Sequence, residues 1–136
     1  MKNAIYISIK GIHLRKIETG EKNYEFRNYV PKEKISTLYV YETYPCCELK
    51  YIIEIGNIVK YPSKIKKSGN RNKEFNEGLL TKYAYEIDNV YKLENPIKLK
   101  ILKEKYNFTP PQSYAYSYTY KELSNKLIKM NKIKII

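Results

Sequence analysis

Apolar and polar residues alternate from Ile5 to Lys10, the two-residue period of a half-buried strand. Ile12, Leu14 and Ile17 then fall near helical spacing, and Gly20 supplies a helix stop. Alternation returns at once in Lys22-Asn23-Tyr24-Glu25-Phe26-Arg27. The opening therefore predicts a strand, a short helix, a glycine turn and a charged strand. Pro31 to Lys34 breaks the pattern, and Ile35 to Tyr44 predicts a further strand closed by Pro45. Leu49 to Val59 is the most apolar strand candidate and belongs in the core, with Gly56 marking a bulge or a tight approach.

Pro62 to Asn72 reads as a loop and as the most mobile part of the chain, crowded by Lys64, Lys66, Lys67, Arg71 and the adjoining Lys73. Glu74 to Leu80 predicts a short helix, and Lys82 to Leu93 alternates with Tyr83, Tyr85 and Ile87 on one face. Pro96 is expected to begin a new element, a strand or short helix carrying Ile97, Leu99 and Leu102, which Pro110-Pro111 ends. Ser113 to Tyr120 predicts a strand with Tyr114, Tyr116, Tyr118 and Tyr120 on one side. Such a row can stack bases, although the ordinary role of most such rings is to cover a barrel or sheet. Lys121 to Met130 predicts a terminal helix with Leu123, Leu127 and Met130 inward. The fold class is α+β, in one domain spanning residues 1–136.

Charge changes the picture more than composition does. The 136 residues hold 26 Lys and Arg against 14 Asp and Glu, a formal charge of +12. That excess favours an anionic partner, first of all RNA or single-stranded nucleic acid. Richness in Lys, Ile, Asn and Tyr, the mark of an AT-rich genome, accounts for part of it.

Cys46 and Cys47 are adjacent, a spacing at which disulfide geometry is rarely met, and with the single His13 they form no zinc pattern. Reduced thiols, a cytoplasmic setting and no metal are expected. No apolar run suits a signal peptide or a membrane-crossing helix. No phosphate-loop, dinucleotide or nucleophile-elbow motif is present, so no cofactor is implied. One histidine leaves little room for a Ser-His-Asp or Cys-His device.

What remains is Lys22, Glu25 and Arg27. Strand spacing puts Glu25 and Arg27 on one face and Lys22 on the other, unless the turn at Gly20 twists Lys22 across. A solvent-exposed ion pair would contribute only about 0–1 kcal/mol, too little to explain such a concentration of charge by stability.

Ser8-Ile9-Lys10, then a helix, then Gly20-x-Lys22-x-x-Glu25-x-Arg27 resembles the signature of ASCH domains in the PUA-like superfamily. Tyr39 to Pro45, Tyr83 to Ile87 and Pro110 to Tyr114 are similar to later motifs of that family. The resemblance implies a small mixed β-barrel of about five to six strands with short flanking helices. It also implies a cleft lined by the Lys, Glu and Arg, suited to RNA or a modified nucleobase. Some members hydrolyse an acylated cytidine with this lysine, a threonine and a glutamate; others are ribonucleases, RNA binders or regulators. This chain departs from the amidohydrolase set by carrying Glu25 where the threonine stands, and from the family more widely by Tyr51 or Ile52 in place of a glycine common in the next core strand.

Three readings stay open. In a nucleic-acid-binding module Lys10, Lys22, Glu25 and Arg27 hold phosphate or a base edge, Gln112 adds a bidentate amide, Tyr114 or Tyr116 stacks, and Lys66 and Lys67 meet the backbone. In a hydrolase acting on RNA or a nucleoside, Lys22 and Glu25 are the catalytic pair. In a phage-type regulator the basic surface meets a protein partner. A monomer or weak dimer is expected, with Lys22, Glu25 and Arg27 facing one cleft walled by Lys10 and Gln112.

Overall fold

The computed structural model describes residues 3–136. The first alternating stretch forms β1 (Ala4–Ile9), which is buried along nearly its whole length. Ile5, Ile7 and Ile9 serve one core and Ala4 and Tyr6 another, so the two-residue period feeds both faces of the sheet. Helix α1 (Gly11–Thr19) buries Leu14 and Ile17 against the first core, whereas Ile12 is exposed. Gly20 ends it at φ 84°, a left-handed turn that suits a residue without Cβ. The chain re-enters as β2 (Tyr24–Arg27).

The remaining elements are β3 (Thr37–Glu42), β4 (Glu48–Lys60), α2 (Asn72–Asn76), β5 (Tyr83–Lys98), α3 (Leu99–Tyr106), β6 (Ala115–Tyr116), α4 (Lys121–Lys129) and β7 (Lys132–Lys134). The strands pair in the order β2-β5-β4-β3-β1-β6, with β7 also on β5. Of these pairs only β1 with β3 is parallel. The result is an α+β, PUA-like half-barrel, a curled mixed sheet with short helices around it.

Side chains draw the two ends of the curl together. The Arg27 guanidinium on β2 donates to the Ser8 carbonyl on β1 at 2.9 Å, and the Tyr29 hydroxyl donates to the Ser113 carbonyl at 2.7 Å. Ser8 Oγ in turn donates to the Pro111 carbonyl at 2.8 Å. The Pro110-Pro111 segment is thereby fixed along the seam.

One core, with Ile7, Leu14, Ile17, Leu38, Val40, Tyr51, Ile53 and Tyr85, lies on the α1 side. The other, with Tyr6, Leu49, Phe108, Leu123 and Leu127, lies under α3 and α4. A smaller cluster of Tyr24, Ile65, Phe75 and Ala84 sits beneath the loop at 62–72. That loop is tied down: Ile65 is buried and exchanges two hydrogen bonds with the Asn76 amide.

Several expected elements differ. Pro96 does not begin a new element but lies inside β5, where the β4 pairing slips between Leu49–Ile97 and Tyr51–Lys92. A residue without an N–H is tolerated at that interruption of the ladder. The short helix forms at Asn72–Asn76 rather than at Glu74 to Leu80. The tyrosine stretch yields only two strand residues and then a 3-10 helix, Ser117–Tyr120. Ser117 is buried there and its carbonyl accepts from Ser124 Oγ at 2.7 Å, which draws the chain out of the strand. Met130 caps α4 and is only half-buried. Gly56 does sit beside slipped pairing, with the Glu86 and Asp88 carboxylates against it.

Candidate functional site

Backbone geometry at the end of α1 sets the site. The Gly20 turn lets the Lys22 amide donate to the Lys16 carbonyl at 3.0 Å, folding Lys22 back under the helix. From there β2 carries Glu25 and Arg27 along the sheet edge, paired with Tyr85 and Tyr83 of β5.

Glu25 joins the two cations. One carboxylate oxygen lies 3.5 Å from Lys22 Nζ, and the other accepts from Arg27 at 2.8 and 2.9 Å. The side chains of Lys22 and Glu25 are 5% and 8% exposed, and that of Arg27 14%. This is a buried triad, not a surface pair, so desolvation governs its chemistry. Burial pulls the Lys22 ammonium below its ordinary pKa, Glu25 opposes, and Arg27 and Arg71 add to the lowering. At Arg27 burial acts the same way but is outweighed by Glu25 and Tyr29, so its pKa ends above the ordinary value.

The two cations face different ways. Lys22 Nζ sits 4.5 Å from the Phe26 ring centroid and borders a cavity of about 90 Å³ with His13, Glu25, Asn70 and Arg71. Arg27 turns toward the seam, bonding Ser8 and the Tyr29 hydroxyl at 3.0 Å. Arg27 therefore holds Glu25 and the sheet closure, while Lys22 and Glu25 present to the cavity.

The other sequence candidates disperse. Lys10 is exposed at the N-cap of α1, and neither it nor Gln112 borders the cavity. Gln112 lies exposed beside Pro111 at the seam. Tyr114 stacks on Tyr29 at 5.4 Å and meets Tyr116 edge-on, and Tyr116 stacks on Tyr118 at 5.1 Å. Tyr120 leaves that row for the core, against Phe108 and Tyr6. Lys67 is held by Glu86 at 2.7 Å, whereas Lys66 is exposed.

Three residues of the cavity, His13, Asn70 and Arg71, were not among the site residues expected from sequence. His13 lies on the face of α1 that meets Lys22, and burial and then Lys22 lower its pKa. Asn70 and Arg71 come from the basic loop, pinned where the Asn70 amide donates to the Glu21 carbonyl at 2.8 Å. The charge run signalled Arg71; only the fold brings it to Lys22. Among the described residues no cluster of His, Cys, Asp or Glu could hold a metal, and no helix is long and apolar enough to cross a membrane.

No family model and no curated protein matches the chain. Solved structures do. The crystal structure of ASCH from Zymomonas mobilis is 26% identical with a TM-score of 0.69, over 95% of this chain and 96% of that one. A tyrosine-to-phenylalanine variant of that protein is 25% identical with the same TM-score, over 96% and 100%. A serine-to-alanine variant is 24% identical, also at 0.69, over 96% and 98%. The motif at Gly20 to Arg27, the curled mixed sheet and this nearly end-to-end likeness agree: the chain is an ASCH-type domain of PUA-like fold.

Proposed function

We propose that this chain is a binding module for single-stranded nucleic acid, RNA or a modified nucleobase, with the Lys22 cavity as its reading site. One observation carries the reading: a buried donor and a buried acceptor, Lys22 and Glu25, border the same small cavity. Lys22 offers N–H donors, Glu25 accepts, and the amide of Asn70 can do either, the combination that reads a base edge. Arg71 at the mouth and exposed Lys66 on the same loop extend it toward phosphate. The overall charge of +12 supplies attraction at longer range.

The test is fluorescence anisotropy of a labelled single-stranded RNA at two salt concentrations. With about three phosphate contacts, affinity should fall roughly 20-fold between 50 and 200 mM salt. Lys66→Ala should weaken all sequences alike, and Lys67→Ala, whose charge is committed to Glu86, should do so less. Binding that ignores salt would point to a protein or a neutral ligand and overturn the reading.

A second reading, a hydrolase acting on RNA or a nucleoside, is favoured by the lowered pKa of Lys22. An amine with a depressed pKa reaches its neutral, basic form nearer to neutral pH and can then accept a proton. Incubation with total RNA and with acylated nucleosides separates the two, since turnover that Lys22→Met abolishes would establish the enzyme.

A further inference from the structure

Tyr118 is held in an unusual way for a half-exposed ring. One face stacks on Tyr116 with centroids 5.1 Å apart and planes within 10°. Its hydroxyl donates to a Glu33 carboxylate oxygen at 2.8 Å. Two contacts therefore fix the ring, yet it stays 47% exposed. An aromatic side chain ordered before a ligand arrives loses little entropy on binding one.

Tyr118 also borders an open recess of about 400 Å³, within the size range of small-ligand sites. Across that recess stand Lys105 and Tyr106 from the end of α3, with the ammonium 5.7 Å from the Tyr106 ring. Lys121 opens α4 on the near side, and Asn107 adds an amide. Glu122 is the one acidic group on the wall, so the lining keeps a positive balance. Rings for a flat π-face, two ammonium groups and an amide together match a nucleotide, not a purely apolar or purely anionic ligand.

We propose that Tyr118, Lys105 and Lys121 form a second nucleotide pocket, in which the base of an unpaired RNA residue stacks on Tyr118 and its phosphate meets the two lysines. The pocket rests on single-stranded nucleic acid being the partner and adds a second contact to the one at Lys22. The ring contacts Tyr29–Tyr114–Tyr116–Tyr118 run from the Arg27 seam to this recess, so Tyr118 ends a row of rings anchored where the sheet closes. Stacking of this kind tolerates any base, so the pocket adds affinity and leaves sequence choice to the Lys22 cavity.

The test uses the full chain and an eight-nucleotide RNA carrying one 5-iodouridine, with photo-cross-links mapped by mass spectrometry and affinity read by anisotropy. A cross-link at Tyr118 is expected, and Tyr118→Leu should lower affinity about tenfold. Tyr118→Phe, which keeps the ring, should stay within about twofold of the parent. Lys105→Ala with Lys121→Ala should flatten the salt dependence. Unchanged circular dichroism in Tyr118→Leu excludes misfolding as the cause. Cross-links confined to the Lys22 cavity, or equal affinity for Tyr118→Leu and the parent, would overturn the proposal. Loss of affinity in Lys22→Met alone would sink this pocket and spare the Lys22 site, and loss in Tyr118→Leu alone would do the reverse. No binding of the RNA at all would remove both.

Discussion

Glu25→Gln tests the buried triad by changing almost no volume. The carboxylate offers one oxygen to Lys22 and the other to Arg27, at 3.5 and 2.8 Å. Glutamine has one oxygen and one NH2, so whichever way the amide turns, a donor faces a donor. The negative charge that neutralises two buried cations is also lost. Breaking a buried pair by removing one partner costs about 3–5 kcal/mol. Arg27 keeps the Ser8 carbonyl and the Tyr29 hydroxyl, and the glutamine oxygen still takes one bond, so the lower end applies, about 3 kcal/mol. Urea unfolding of the two proteins measures this directly. Adding Lys22→Met removes the orphaned ammonium, so the double variant should recover about 1–2 kcal/mol relative to additivity. A Glu25→Gln loss below about 1 kcal/mol, or additivity within about 0.5 kcal/mol, would refute the bridging role.

Neighbouring contacts set two further outcomes. Burial lowers the Lys22 pKa, so between that lowered value and about 10.4 the unfolded chain binds more protons than the folded one, and this group's contribution to stability rises with pH. The stability of Lys22→Met relative to the parent should therefore be highest near pH 7 and decline toward pH 10. Buried tyrosines such as Tyr6 and Tyr85 titrate in both proteins and cancel; a variant-minus-parent difference in urea midpoint that stays constant or rises with pH would contradict the sign. At Gly69 a Cβ would stand 2.6 Å from Asn23 Oδ1, an atom already bonded to Asn72. Gly69→Ala should cost about 1–3 kcal/mol and speed exchange of the Asn70 amide, and unaltered protection there would show that the loop is not held through Asn23.

The strands of the first half were legible because their period matches their burial: β1 and β4 are apolar where the sheet is covered on both sides. The tyrosine row misled because strict alternation does not set the path of the chain beyond Tyr116. The buried Ser117 and its bond to Ser124, seven residues on, decide for a 3-10 helix. β7 was missed since three residues of Lys-Ile-Lys carry no period of their own and pair only because β5 leaves an edge open beside β2. Within the site, the Lys22, Glu25 and Arg27 group was readable, but its division of labour was not. That Arg27 belongs to the seam depends on the Ser8 carbonyl, a partner nineteen residues away that only the closing of the sheet supplies. Lys10 read as a wall by nearness in sequence to the motif and Gln112 by its place in the Pro110 to Tyr114 stretch, and neither lines the cavity. His13 reads from sequence as a surface or packing residue because a lone histidine on a helix usually is one.

The central claim is that Lys22 meets the ligand. Lysine-selective NMR, with side-chain amine signals followed while a single-stranded RNA is titrated in, reads that contact at the atom concerned. The Lys22 signal should shift and saturate in step with binding, and Glu25→Gln should alter both its free position and its response. Saturated RNA binding with the Lys22 signal unmoved would contradict the account.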